Sequence, residues 1–317
     1  MKEHKKVHYR KVFRQIPIYL GKFLRMFIYQ DDWKMLPMAA LIAGLVSFVI
    51  KGTMMKTMEG TMKGSLALSC ICIWNGFFNS IQVVCRERPI VKREHRSGMM
   101  IPSYILSHMV YQAGLCLLQA VVSVVVCGIS GIEYPSGGII TPWFPVDLCI
   151  TFFLITYASD IMSLLISCIA RSTTAAMTIM PFVLIFELLF SGAVFTLEGD
   201  VSNFISNLTI AKWGMCAICA ISRYNSLKMV TVWNMLKKFE NVEYEGMTPL
   251  ADVVASVESN PGGVEAFQMK MGELSPNTAY ESTVKNVTNC WLMMLLFVVV
   301  FAILAMIVLR RIDRDRR

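Results

Sequence analysis

Long runs of apolar residues dominate the pattern along this chain. Six of them reach or approach the length of a membrane-spanning helix, for which about 20 predominantly apolar residues are needed. These runs cover residues 35–50, 65–85, 104–129, 148–170, 174–195 and 291–309. The pattern predicts an all-α membrane protein with six transmembrane helices, and an even number of spans places both termini on one side.

The segment before the first run has a different pattern, in which apolar and basic residues separate onto opposite faces of a helix. The apolar face carries Phe13, Ile16, Leu20, Phe23, Leu24 and Phe27. The basic face carries Lys11, Arg14, Lys22 and Arg25. This predicts an amphipathic helix in the membrane interface. Pro17 either falls in its first turn or kinks it.

A less apolar stretch at 205–221 is interrupted by Asn207, Lys212 and Gly214. It is too polar for a span and too apolar for a free loop, which favours a re-entrant or interfacial hairpin. Short amphipathic patterns follow, separated by turn residues, at 230–239, 249–257 and 264–271. Together they indicate a small external subdomain before the last span.

The basic residues are distributed unequally between the two sides. In the six-span arrangement, twenty of the thirty lysines and arginines lie on the side of the termini. Seven of the others are spread over the long segment before the last span, where translocated loops are largely exempt from the charge rule. Both termini are therefore expected to be cytoplasmic, in a multi-pass protein of the cell membrane.

Composition narrows the possible functions. Hydrophobic residues make up 55% of the 317 residues and charged residues only 16%, so apolar surface must face lipid. The formal net charge is +8, but no basic block is interleaved with aromatic residues as in nucleic-acid binding. We expect a lipid bilayer and no nucleic acid among the partners.

Sequence signatures of catalysis and metal binding are not found. Cys216 and Cys219 form a CxxC inside an apolar stretch, without the context of a redox or zinc motif. The four histidines form no HExxH, and GxSxG is missing. We therefore expect no catalytic residues and no metal site on this chain.

Two acidic residues fall inside predicted spans, where an unpartnered charge is costly. Asp160 lies near the middle of the fourth span and is either protonated, hydrogen-bonded or facing a wet cavity. Glu187 lies in the fifth span, one turn before Ser191. The role of each acid is left open by the sequence.

The most informative motif is the mixed-charge run Arg86-Glu87-Arg88-Pro89-Ile90-Val91-Lys92-Arg93-Glu94-His95-Arg96 between the second and third spans. It continues through Gly98-Met99-Met100 to Ser103-Tyr104-Ile105-Leu106-Ser107. This stretch resembles the corresponding segment of ABCG-like (ABC type 2) exporter permeases. Pro181, Leu189-Phe190-Ser191-Gly192 and Lys212-Trp213 extend the resemblance. It is closest to the permease portion of bacterial transporters that carry a forkhead-associated domain and an ATPase in the same chain.

The resemblance implies how such a chain would work. Two permease protomers would act with two ATPase units, on which ATP and magnesium would bind, and this chain would carry no cofactor itself. The segment 86–102 would be the coupling helix that docks on the ATPase, with Glu87, Arg88, Arg93 and Glu94 as the contact residues. ATP-driven closure would push the bundles and export the substrate.

The resemblance also implies a substrate cavity lined by the second and fifth spans of both protomers. The candidate residues on these spans are Asn75, Phe78, Asn79, Phe182, Phe186 and Phe190. The expected organisation is a cytoplasmic tail at 1–34, five spans at 35–195, a hairpin and external subdomain at 196–289, and the last span at 290–317. A membrane sensor or scaffold and a lipid-modifying enzyme are the alternatives.

Overall fold

The computed structural model describes residues 12–29, 32–193, 195, 199–242 and 249–310. Its regular elements are helical, which confirms the predicted all-α class. The first six α-helices are α1 Val12–Tyr29, α2 Met35–Ile50, α3 Met58–Ser80, α4 Val83–Arg96, α5 Ile101–Ile129 and α6 Phe144–Ile169. The others are α7 Thr173–Leu189, α8 Asp200–Asn207, α9 Ile210–Ile221, α10 Val230–Lys238, α11 Pro249–Glu258, α12 Gly263–Leu274 and α13 Val284–Leu309.

Four helical segments within these ranges are long and apolar enough to cross a membrane. They are Met58–Arg96, Ile101–Ile129, Phe144–Ile169 and Val284–Leu309. The predicted first and fifth spans form the shorter helices α2 and α7, of 16 and 17 residues. At 1.5 Å per residue, such helices reach only about 25 Å, less than the ~30 Å hydrocarbon core. Helix length alone therefore does not establish six crossings.

The stretch predicted as a hairpin becomes a sharply bent helix pair. Helices α8 and α9 meet at 82°, which fits either a broken span or a re-entrant loop. Helix α9 is buried almost throughout, among α3, α6 and α13. Its glycine, alanine and cysteine residues let the neighbouring helices approach closely. Cys216 and Cys219 are buried here as free thiols. The other eight cysteines are free as well, and of these Cys70 and Cys149 are half-buried.

Helices α3 and α6 form the centre of the bundle, and Gly76 lies at their closest approach. A Cβ at this position would collide with the carbonyl oxygen of Thr156 and lie 2.9 Å from the Cβ of Ser159. Helix α2 packs on α5 through Ala39, Ala43 and Ser47, which are buried and four residues apart. Small residues thus set the helix spacing, as is usual where lipid offers no hydrophobic driving force between helices.

One end of the bundle carries α1 and α4, and we call it the elbow end. At the far end, helices α10 to α12 occupy the three positions predicted for the external subdomain. They attach to the start of α3, where the carboxylate of Glu59 accepts hydrogen bonds from the backbone N–H groups of Val230 (3.3 Å) and Thr231 (2.7 Å). This carboxylate caps α10, whose first N–H groups have no partner within the helix.

Candidate functional site

The predicted coupling run forms helix α4, which follows α3 after a short break and contains Pro89. It ends at Arg96, with Ser97 as its C-cap, and Gly98 then adopts a left-handed conformation (φ 106°) that turns the chain into α5. This conformation is readily available to glycine. The junction of α4 and α5, together with the α1 helix lying on it, is called the elbow below.

The two glutamates of α4 face inward at the elbow. Lys22 of α1 places its Nζ atom 3.4 Å from Glu87 Oε2 and 3.3 Å from Glu94 Oε1. Glu87 is buried, and the glutamates lie two helical turns apart with the lysine between them. Burial and the charge of Glu94 also raise the pKa of the nearby Tyr19 to about 12. The acidic residues thus bind α1 within the same chain.

Arg88 also bonds within the chain. Its guanidinium donates to the carbonyl oxygens of Cys168 (3.1 Å) and Ala170 (2.9 Å), at the end of α6. A cation at this position satisfies carbonyls that have no partner within the helix and opposes the negative end of the helix dipole. Of the four predicted coupling residues, Arg93 has an exposed side chain, and Ile90 is 40% exposed on the same face.

Gln15 makes a second connection between α1 and the elbow, in addition to the ion pairs of Lys22. Sequence reasoning did not single out this residue. Its amide nitrogen donates to the carbonyl oxygen of Gly98 (3.2 Å), and its amide oxygen accepts from the N–H of Met100 (2.9 Å). Met100 is the N-cap of α5 and has no side-chain cap of its own. The hydroxyl of Ser107 also donates to the carbonyl oxygen of Ile16 (3.1 Å). Helix α1 is therefore fastened to both α4 and α5.

The orientation of the amphipathic α1 helix, which the sequence pattern leaves open, is set by its contacts with the protein. Lys22, on the predicted basic face, contacts α4, while the predicted apolar residues Phe13 and Leu24 are 80% and 51% exposed. The helix begins before Pro17 and continues through it. The exposed apolar side is the one available to lipid, because Gln15 and Lys22 direct the opposite side onto the protein.

Asp160 belongs to a hydrogen-bonded chain that joins three helices. Its Oδ1 accepts from the hydroxyl of Ser80 at 2.5 Å, and Ser80 in turn accepts from the amide of Gln112 at 3.0 Å. Next to it, Asn79 and Gln119 exchange two amide hydrogen bonds of 2.9 and 3.0 Å. Asp160 is fully buried, so of the predicted alternatives the structure supports hydrogen bonding over a wet cavity. Such bonds tie α3 to α5 and α6.

Glu187 has a capping role at the bent helix pair. Its Oε2 accepts a hydrogen bond of 2.9 Å from the backbone N–H of Ala211, in the first turn of α9. Glu187 is only 3% exposed. Its carboxylate therefore satisfies a buried donor that α9 leaves open, and it lies at the positive end of that helix.

The six predicted cavity residues separate into two groups. Asn75, Phe78 and Asn79 line a cavity of about 420 Å³ between α1, α2, α3, α4 and α5, with one residue of α7 at its edge. Its lining does not include Phe182 and Phe186 of α7 or Phe190, the residue that follows α7. Phe182 and Phe186 are 69% and 43% exposed. A smaller cavity of about 240 Å³, between α3, α7 and α9, includes Glu187.

Comparison with known proteins identifies the family of this chain. The family model described as ABC-2 type transporter matches residues 23–221, from the inward face of α1 to the end of α9. The chain belongs to the ABC-2 type transporter family. It is thus the membrane-spanning permease part of an ABC transporter, a class that works with nucleotide-binding domains. The resemblance seen in the sequence is confirmed.

One relative of this ABC-2 permease is the ABC transporter ATP-binding/permease protein Rv1747 of Mycobacterium tuberculosis (strain ATCC 25618 / H37Rv). The two are 27% identical over 151 residues, which is 47% of this chain and 17% of the relative. The chain thus spans less than a fifth of that protein, whose name includes an ATP-binding part. An ATPase in the same polypeptide or on another subunit is compatible with this similarity.

Proposed function

We propose that this ABC-2 permease is the membrane half of an exporter and that its ATPase docks on the exposed face of α4. The observation that carries the proposal is the elbow, where Lys22 and Gln15 fasten α1 to α4 and α5. A push on α4 therefore moves these elements together. An ATPase that closes on ATP and magnesium would supply that push.

The contacts at the elbow refine the roles of the four predicted coupling residues. Arg93 and the neighbouring Ile90 are exposed and suited to contact another protein. Glu87 and Glu94 hold α1, while Arg88 connects α4 to α6. In this proposal Arg93 receives the force, and the other three residues distribute it within the bundle.

A second protomer would complete the transport pathway. Trp74 and Phe78 of α3 are 44% and 37% exposed, and Phe182 and Phe186 of α7 are exposed as well. Large aromatic residues on two helices provide the kind of surface on which a second membrane bundle packs. We propose that these faces of two protomers enclose the substrate, with α2 and α7 completing six crossings and both termini in the cytoplasm of a bacterial cell.

Site-specific photo-crosslinking in native membranes tests the docking face. A benzoylphenylalanine in place of Arg93 is expected to crosslink to a polypeptide with a phosphate-binding loop, identified by mass spectrometry, and ATP should change the yield. The same residue in place of Val49, 80% exposed toward the far end of α2, is the control. Crosslinks to an ATPase from position 49 and none from position 93 would refute the proposal.

The acidic residues give little support to the alternative of a membrane-embedded enzyme. Asp160 is bound by Ser80 and lines neither of the two cavities described above. Glu187 lines the smaller cavity, but its carboxylate is engaged in capping α9. A catalytic acid or base must reach its substrate. Lipid turnover by the purified protein that is lost in Glu187→Gln would favour the enzyme.

A further inference from the structure

The larger cavity lies within one protomer and reaches from the elbow end into the bundle. Its volume of about 420 Å³ is within the usual range for small-molecule sites, which is about 300–1,000 Å³. It begins among residues of α1 and α4 and extends to Asn75 and Gln119, deeper along α3 and α5. Because one chain supplies this wall, the cavity can hold a ligand without a second protomer.

Side-chain amides are the main polar groups of the lining. Five lining residues carry one, and they are Asn75, Asn79, Gln82, Gln112 and Gln119. Apart from Gln82, each of them is at most 6% exposed. No carboxylate lies among the described lining residues, and the two lining cations, Lys34 and Arg86, already interact with other residues of the chain. Uncharged donors and acceptors therefore dominate the polar part of the wall.

The amide of Gln112 has a fixed orientation and one open atom. Its Nε2 donates to the backbone carbonyl oxygen of Asn79 (3.4 Å) and to the hydroxyl of Ser80 (3.0 Å), and a carbonyl can only accept, so the amide cannot be turned round. Its Oε1 has no hydrogen-bond partner among the described residues, although Gln112 is only 2% exposed. Buried acceptors without a donor are uncommon and costly. A ligand that brings a donor to this oxygen removes that cost.

His108 provides a second open acceptor, one turn nearer the elbow on the same helix. It is 1% exposed, and its Nδ1 has no hydrogen-bond partner among the residues that the structure describes. A neutral imidazole with its hydrogen on Nε2 accepts at Nδ1. Gln112 and His108 are four residues apart on α5, a rise of about 6 Å. The cavity wall thus favours a ligand with two donors at about that spacing.

The rest of the wall suits apolar side chains of different shapes. It is formed mainly by aromatic, methionine and aliphatic residues, namely Phe23, Met26, Met38, Ile42, Phe78 and Leu115. Methionine side chains adapt to irregular apolar partners, and aromatic rings offer large contact surfaces. A ligand that fits this cavity therefore combines repeated uncharged donors with apolar groups.

We propose that this cavity binds a short, uncharged, extended peptide with apolar side chains, whose N–H groups donate to Gln112 Oε1 and His108 Nδ1. In an extended chain every second N–H lies on the same edge, about 6.6 Å apart, which matches the rise between the two acceptors. An alcohol has no such repeated donor. The site goes beyond the proposed export function, because it requires neither an ATPase nor a particular direction of transport.

Binding of a capped dipeptide to the purified chain in detergent tests this proposal. Isothermal titration calorimetry should show N-acetyl-leucyl-phenylalanine amide bound at least about tenfold more tightly than its analogue methylated on the leucine nitrogen and twice on the terminal amide nitrogen. The analogue keeps both side chains but lacks the two donors of one edge. It is also more apolar, so simple partitioning would give the opposite order. Equal binding, or tighter binding of the analogue, would overturn the proposal.

Variants of the two acceptors test the contacts. Gln112→Met removes the amide at similar size and should reduce the preference for the unmethylated peptide to less than about threefold. His108→Phe keeps an aromatic ring against Phe23 and should have the same effect. The control Asn203→Leu, which removes an exposed amide of α8 outside the lining, should keep the full preference. A full preference retained in both acceptor variants would overturn the proposal.

A second pair of variants tests the location independently of the hydrogen bonds. Leu115→Trp fills the cavity and should reduce dipeptide binding at least about tenfold, whereas Leu118→Trp, on a 53% exposed position of the same helix, should leave it unchanged. Thermal unfolding in the same detergent verifies that the variants fold. Equal loss from both variants would place the peptide elsewhere. Displacement of the dipeptide by octan-1-ol at equal concentration would assign the site to alcohols and overturn the proposal as well.

Discussion

The two ends of the bundle use their buried and half-buried carboxylates in different ways, whereas the exposed carboxylates of the far end form surface ion pairs. At the elbow end, Glu87 and Glu94 pair with the side chain of Lys22. At the far end, Glu59 binds the backbone of α10, and Asp147 binds three consecutive backbone N–H groups, those of Ile139, Ile140 and Thr141, at 2.7, 3.0 and 3.0 Å. A long lysine can follow a moving partner, whereas a backbone amide is fixed by the chain around it.

The difference indicates which end moves. Side-chain ion pairs can stretch and exchange at low cost, so they suit an end that receives force from a partner. Carboxylates bound to backbone N–H groups hold a loop in one conformation and leave buried donors unpaired when they let go. We therefore expect the elbow to shift as a unit while the far end keeps its shape.

Asp147→Ala should have the largest effect on stability. Asp147 is fully buried, and its loss leaves three donors of the loop without their acceptor, at a cost of about 2–4 kcal/mol in the free energy of unfolding. Chemical unfolding in detergent measures this cost. Glu133→Ala, which removes an exposed carboxylate paired with Lys56, should cost less than about 1 kcal/mol. Equal losses would contradict the distinction.

Lys22→Met should have the next largest effect, because it leaves the buried Glu87 carboxylate without its cation. We expect a loss of about 1–3 kcal/mol, below the value for a fully buried pair since Lys22 is partly exposed. A double-mutant cycle with Glu87→Gln should show coupling, and one with Glu94→Gln less, because Glu94 is more exposed. Additive effects in both cycles would show that Lys22 is not energetically coupled to either glutamate.

Glu187→Leu should cost about 1–2 kcal/mol by uncapping α9, whereas Glu187→Gln keeps an oxygen acceptor and should lose less than half as much. This residue tests whether backbone-bound carboxylates hold the structure in the middle of the bundle as they do at the far end. Unfolding of the two variants in the same detergent provides the comparison. Equal destabilisation by both would show that the charge matters more than the hydrogen bond.

Glu59→Ala should have the smallest effect, about 0.5–1 kcal/mol, because α10 is near the surface. The change should be local, so hydrogen exchange at the amides of Val230 and Thr231 is the appropriate measurement. Both should exchange faster while α13 is unaffected. Glu273→Ala, on exposed α12, should leave all of these rates unchanged.

Much of the helix order follows from the apolar runs, and the amphipathic pattern correctly locates α1. The pattern does not predict the partners of Lys22, because a helical wheel separates two faces without showing which of them contacts the bundle. The same problem affects the cavity residues: knowing that Asn75 and Phe182 belong to two helices does not reveal which side of each helix faces a common space. Packing determines that, through small residues such as Gly76.

Several residues of the candidate site have no distinctive sequence signal. Gln15 and Ser80 are ordinary polar residues whose partners described above are more than 30 residues away in the chain. The loop that Asp147 binds carries a more specific sequence feature, Gly138. A Cβ at Gly138 would lie 2.5 Å from a carboxylate oxygen of Asp147. The glycine in that loop thus has a steric reason, although the sequence shows only a turn.

The close approach at Gly76 has a consequence for evolution and engineering of this chain. Because no side chain fits between α3 and α6 there, the two helices cannot slide past each other without separating first. Arg88 adds a clip from α4 to the end of α6. Helices α3 and α6 therefore move together as one rigid unit. Any enlargement of the substrate space must come from movements of the helices around them.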